Sequence, residues 1–146
     1  MPLTSVVADS RTGRSLVSDA DFEMLAAFCA DEYGLEQCVA NQVVDQALAL
    51  VHVMGTTHAG ADMAPSQLVD PGWHTLILHT DWYAAWCQEQ FGYFLHHQPN
   101  SKVRTRGLMT DVVGRIRAAG FEVDERLWGT AAECNPPACC GDGPCC

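Results

Sequence analysis

The stretch Val69-Asp70-Pro71-Gly72-Trp73-His74-Thr75-Leu76-Ile77-Leu78-His79-Thr80, continued through Cys87 to His96-His97-Gln98-Pro99, decides how the chain is read. It holds four of the six histidines and three of the four tryptophans, so polar side chains with chemistry sit beside the largest apolar ones. Pro71 cannot lie deep in a helix, because it lacks a backbone N–H. Either Asp70-Pro71-Gly72 is a turn before a helix from Trp73, or Pro71 lies in the first turn of a helix capped at Asp70. Proline is favoured at the first helical position, which selects the second reading. Trp73, Leu76, Ile77 and Thr80 then face inward. Thr80-Asp81 opens the next helix, with Trp82, Tyr83, Trp86, Cys87, Gln90, Phe91 and Phe94 as an aromatic-rich packing face, and Pro99-Asn100 ends it.

Upstream, residues 1–17 show no sustained period and read as a flexible or loosely docked leader. Ser18 caps a helix with acids in its first turn, and Phe22, Leu25, Ala26, Cys29 and Tyr33 follow at helical spacing up to the stop at Gly34. A second helix is predicted from Leu35 to Met54. Leu35, Cys38, Val39, Val43, Leu50 and Met54 lie on or beside one face, and Ala47 permits close approach of a neighbour. Gly55 to Ala61 breaks the pattern. Downstream, Val103–Ala119 forms a helix with Val112, Val113 and Ile116 inward and Arg104, Arg106, Arg115 and Arg117 outward. Gly120 stops it, and Phe121 to Trp128 is a short closing segment. No hairpin or strand pattern appears. The expected fold is all-α: a single-domain bundle of four or five helices over residues 18–130, with a flexible cysteine-rich C-terminal tail over 131–146.

The formal charge of −10, with only eight Lys and Arg, excludes a nucleic-acid backbone as the natural partner. The N-terminus has neither a basic region nor an apolar core of a secretory signal, and the apolar run Ala47–Val51 is too short to cross a bilayer. A cytoplasmic protein without membrane contact is expected. A reducing compartment favours free thiols or thiolate ligands over disulfides.

On a helix beginning near Asp70, that carboxylate lies one turn from His74 on the same face. A carboxylate bonded to one imidazole nitrogen fixes the tautomer and turns the other nitrogen outward, toward a metal, a substrate or a proton. A short connection makes the next helix a neighbour, which brings Cys87 and one of His96 or His97 within reach. His74, Cys87, His96 and His97 are therefore the candidate ligands for zinc or iron. Asp70 and His74 are equally an acid/base pair, with Cys87 as a nucleophile. Against these readings, a buried cysteine commonly serves as a small hydrophobe, and no HExxH or CxxC motif is present. His79 points away from His74 and is expected to be exposed, while His52 and His58 flank a break and are expected to be solvated.

The pattern of Asp70, Trp73, His74, Ile77, Leu78, Thr80, Tyr83, Cys87, Phe91, Gly92, Phe94, His97 and Pro99 resembles a group of small uncharacterised actinobacterial proteins. It is more distantly similar to the Asp-x-x-Trp-His motif of plant-type glycine-rich-domain proteins, whose glycine-rich part is missing here. The resemblance spans about residues 40–134 and implies no particular activity.

The last thirteen residues carry Cys134, Cys139, Cys140, Cys145 and Cys146 among glycines and prolines, with little apolar bulk. Such a tail suits a soft ion, zinc or copper(I). Three functions follow. The first is a metal-binding protein that uses the His/Cys/Asp constellation and the thiolate tail. The second is a precursor of a ribosomally made, modified peptide whose core is the tail, acted on by a modifying or accepting protein. The third is a small enzyme using Asp70 and His74.

Overall fold

The computed structural model describes residues 10–60, 62–97 and 106–129. The chain is all-α. Five helices are described: α1 (Asp19–Tyr33), α2 (Gln37–Thr56), α3 (Asp70–Leu78), α4 (Thr80–Phe91) and α5 (Arg106–Ala118). Short 3-10 turns at Gly13–Leu16 and Glu125–Leu127 flank them. Among the described residues the sole β feature is an isolated parallel bridge between Arg11 and Phe121. None of the described helices is long and apolar enough to cross a membrane.

Helix α2 is the axis of the domain and packs against each of the other four. Its residues from Gln46 to Val51 are all buried, so it is covered nearly all round rather than on the one face its spacing suggested. A helix that is apolar on most sides has to lie inside. Ala47 does allow close approach, and Gly72 of α3 is what approaches: a Cβ at Gly72 would lie 2.7 Å from both the Ala47 Cβ and the Val43 carbonyl oxygen. That crossing fixes α3, and with it Asp70 and His74, against the core.

The ends of the helices follow local chemistry. The Ser18 hydroxyl accepts from the Asp21 N–H, and Gly34 closes α1 in a left-handed conformation. Pro71 lies in the first turn of α3, as its backbone preference requires, although Val69 rather than Asp70 is the cap residue. Helix α4 stops at Phe91 because Gly92, at φ 85°, turns the chain there, well before the expected stop at Pro99-Asn100. Those two residues lie outside the described part.

The expected leader is not loose throughout. The 3-10 turn at Gly13 is seated on α2 with no room for a side chain, and the Arg14 N–H donates to Asp45 Oδ1 at 2.7 Å. Val112, Val113 and Ile116 of α5 face inward, and Arg115 and Arg117 face solvent, as expected. Arg104, the Arg106 side chain and all five tail cysteines (Cys134, Cys139, Cys140, Cys145, Cys146) lie outside the described residues. Cys29 and Cys87 are free and buried. Cys38, expected as a lone thiol, is disulfide-bonded.

Candidate functional site

Asp70 opens α3. Ser66 holds that start: the Asp70 N–H donates to its carbonyl at 2.9 Å, and its hydroxyl accepts from the Val69 N–H at 3.2 Å. The carboxylate is left to face His74, one turn along, with Oδ2 3.4 Å from its Nε2. The loop after Gly92 then returns along α3 and inserts His97, whose Nε2 lies 3.0 Å from Asp70 Oδ1. The two imidazoles meet at the same point, Nε2 to Nε2, 2.9 Å apart. Asp70, His74 and His97 thus each offer one ligand atom, all within 4.8 Å of one another, and they are the one such group of three among the described residues.

The separations suit coordination. Metal–nitrogen and metal–oxygen bonds of about 2.05 Å place neighbouring donors about 2.9 Å apart at a right angle and about 3.3 Å apart at a tetrahedral angle. The observed edges of 2.9, 3.0 and 3.4 Å span that interval. The Asp70 and His97 side chains are only 16% and 10% exposed, whereas His74 is 40% exposed, so the cluster reaches solvent on the His74 side. His97 Nδ1 is buried and has no hydrogen-bond partner among the described residues.

Beneath the cluster, His97 stacks on the Trp73 indole, with centroids 4.2 Å apart. The indole N–H donates to the Tyr83 hydroxyl at 3.1 Å, and that hydroxyl donates to the Leu95 carbonyl at 2.6 Å. Cys87, expected beside His74, lies in this layer instead. It is fully buried, its sulfur bonds to the Leu95 backbone and to Tyr83, and it is not one of the converging ligand atoms. Burial pushes its thiol up, with those two contacts acting in the opposite sense, which disfavours the thiolate that a ligand or nucleophile needs. Burial likewise pushes the Tyr83 phenol far up, so it remains a donor.

The other candidates separate. His96 is exposed and packs edge-on to Phe94, so of the adjacent pair only His97 joins the cluster. His79 is half-buried rather than exposed, its Nδ1 2.7 Å from the Thr75 carbonyl and its ring against Phe28. His52 pairs with Gln90 at 2.9 Å, and His58 stacks on Tyr93. Sequence reasoning passed over Tyr83 as more than a packing residue. Its signal was a tyrosine on the inward face of an aromatic-rich helix, where a buried hydroxyl needs a partner. Thr80, expected inward, is exposed, and Ile77 is half-buried.

No curated protein and no solved structure matches the chain. A family model, UCP032817-like, matches residues 22–116, about two-thirds of the length. The matched region runs from α1 into α5, contains Asp70, His74, Tyr83, Cys87 and His97, and stops short of Cys134. On that match, the chain belongs to the UCP032817-like family.

Proposed function

We propose that this protein binds a divalent metal ion through Asp70, His74 and His97. The convergence of one carboxylate oxygen and two imidazole nitrogens within 4.8 Å carries the reading. Two nitrogens and an oxygen without sulfur are a borderline-to-hard donor set, suited to zinc or iron(II) and not to copper(I). Three protein ligands leave at least one coordination position for water or substrate, the pattern of catalytic rather than structural sites. The half-exposed His74 puts that position within reach of solvent. A metal held there would supply Lewis acidity or an activated water, while the Trp73 stack fixes the His97 imidazole. Tail cysteines not engaged by the Cys38 disulfide would form a second, soft site for zinc or copper(I) in the same reading.

A ligand that binds only the folded chain stabilises it by about 2.7 kcal/mol at a hundredfold excess over its Kd. Zinc is therefore expected to raise the unfolding midpoint of the wild-type chain and to leave that of His74→Ala unchanged. Equal stabilisation of both would remove these three residues from the reading.

A further inference from the structure

The two halves of the metal site come from different places in the chain. Asp70 and His74 ride on α3, whereas His97 sits in the loop that follows α4. Something has to hold the loop in register with the helix, and the contacts converge on one side chain. Tyr83 is fully buried in α4 and grips both halves with one hydroxyl. It accepts from the Trp73 indole at 3.1 Å, one residue before His74, and donates to the Leu95 carbonyl at 2.6 Å, two residues before His97. The Trp73 ring so oriented is the surface on which His97 lies, at 4.2 Å and 29° between planes. Cys87, one turn beyond Tyr83 on the same helix, adds its contact to the Leu95 backbone.

From this geometry we infer that Tyr83 is the positioning residue of the site, setting where His97 stands relative to Asp70 and His74 without touching a ligand atom itself. The inference rests on the metal-binding reading for its purpose, but not for its test. A hydroxyl that both accepts and donates, between two groups that cannot exchange roles (an indole N–H and a carbonyl oxygen), specifies one arrangement and no other. Phenylalanine fills the same space and makes neither bond. Trp73 is then free to rotate and the loop is free to slip by the fraction of an ångström that spoils coordination. Loss of partners that orient ligands typically costs 10–100-fold in metal affinity.

The first measurement needs no metal. In the full chain the His97 ring protons carry a ring-current shift from the Trp73 face, read from imidazole proton–nitrogen NMR spectra assigned with His97→Gln. Tyr83→Phe is expected to move those resonances toward their positions in Trp73→Phe. A core truncation on α5, Val113→Ala, lowers stability without contact to the site and is expected to leave them in place. The second measurement is cobalt(II) titration followed by its visible absorption bands. Tyr83→Phe is expected to weaken binding about tenfold or more and to alter the band pattern, and Val113→Ala to bind as wild type. Unchanged His97 resonances in Tyr83→Phe overturn the positioning role, whatever the metal result. Shifted resonances in Tyr83→Phe, together with wild-type cobalt bands that His97→Gln leaves unchanged, sustain the positioning role and refute the metal-binding reading.

Discussion

Two polar clusters are set into the core of this molecule, and they are built to opposite rules. Around Gln46 of α2, every bond is made. Its amide nitrogen donates to Asp45 Oδ2 at 3.0 Å and to the Glu122 carbonyl at 3.1 Å, while its oxygen accepts from the Asp124 N–H at 3.0 Å and the Trp128 indole at 2.9 Å. That clasp ties the closing segment to the central helix and has no capacity to spare. Around Asp70 the groups point at a common centre instead, rich in lone pairs, with solvent on one side and a buried Nδ1 on the other. A cluster that saturates itself is structure, whereas one whose donor atoms crowd a single point is arranged for a third party.

The sharpest way to break the comparison is to delete each centre and ask what is lost. Gln46→Ala strands a backbone N–H and an indole N–H inside the protein. It should cost about 3 kcal/mol in denaturant-induced unfolding while leaving metal binding intact. Gly72→Ala comes next. A methyl group forced between α3 and the Val43 carbonyl should cost about 2 kcal/mol, and because α3 carries the site, metal affinity should fall with it. His74→Ala is the counterpart of Gln46→Ala. Removing a side chain that is 40% exposed should change metal-free stability by less than about 1 kcal/mol and abolish the stabilisation by zinc.

The smallest effect is a pH dependence on the clasp side of α2. Burial holds the His52 imidazole below its ordinary 6.5, against the opposing hydrogen bond that its Nδ1 makes to the Gln90 side-chain oxygen. The folded state then binds fewer protons than the unfolded one just below that value. The stability His52 contributes is therefore present above about pH 6.5 and is lost as the pH falls. Unfolding midpoints measured at pH 7.5 and 5.5 should differ less in His52→Gln than in wild type. An equal difference would assign the pH dependence to other groups.

Much of the fold was legible because it rests on local chemistry. The Ser18 cap, the Gly34 stop, Pro71 in the first turn of α3 and the small Ala47 at a helix crossing are each dictated by one or two neighbouring residues. The Asp70–His74 half of the site was legible for the same reason, being a one-turn spacing on a helix. His97 was legible only as one of an adjacent pair. Choosing it over His96 depends on the left-handed Gly92 and on the Tyr83–Leu95 bond, which together set the face the loop presents. Cys87 was misplaced because sequence spacing shows that two helices are neighbours but not which side of their interface a side chain joins. Its partners, Tyr83 and the Leu95 backbone, are known only from the loop's path. The burial of the Gln46–Val51 turns of α2 nearly all round was hidden by the polar residues along the helix, and the docking of Gly13 on α2 had no sequence period to show it.

In the proposed reading a carboxylate and two imidazoles, at the start of α3 and in the loop after α4, hold one metal ion. Mass spectrometry under non-denaturing conditions, on full-length chain prepared without chelators or nickel affinity, counts that ion directly against the variant carrying Asp70→Asn, His74→Ala and His97→Ala. The account predicts one ion fewer per chain in the variant, whatever the tail retains. Identical metal content in the two proteins would contradict it.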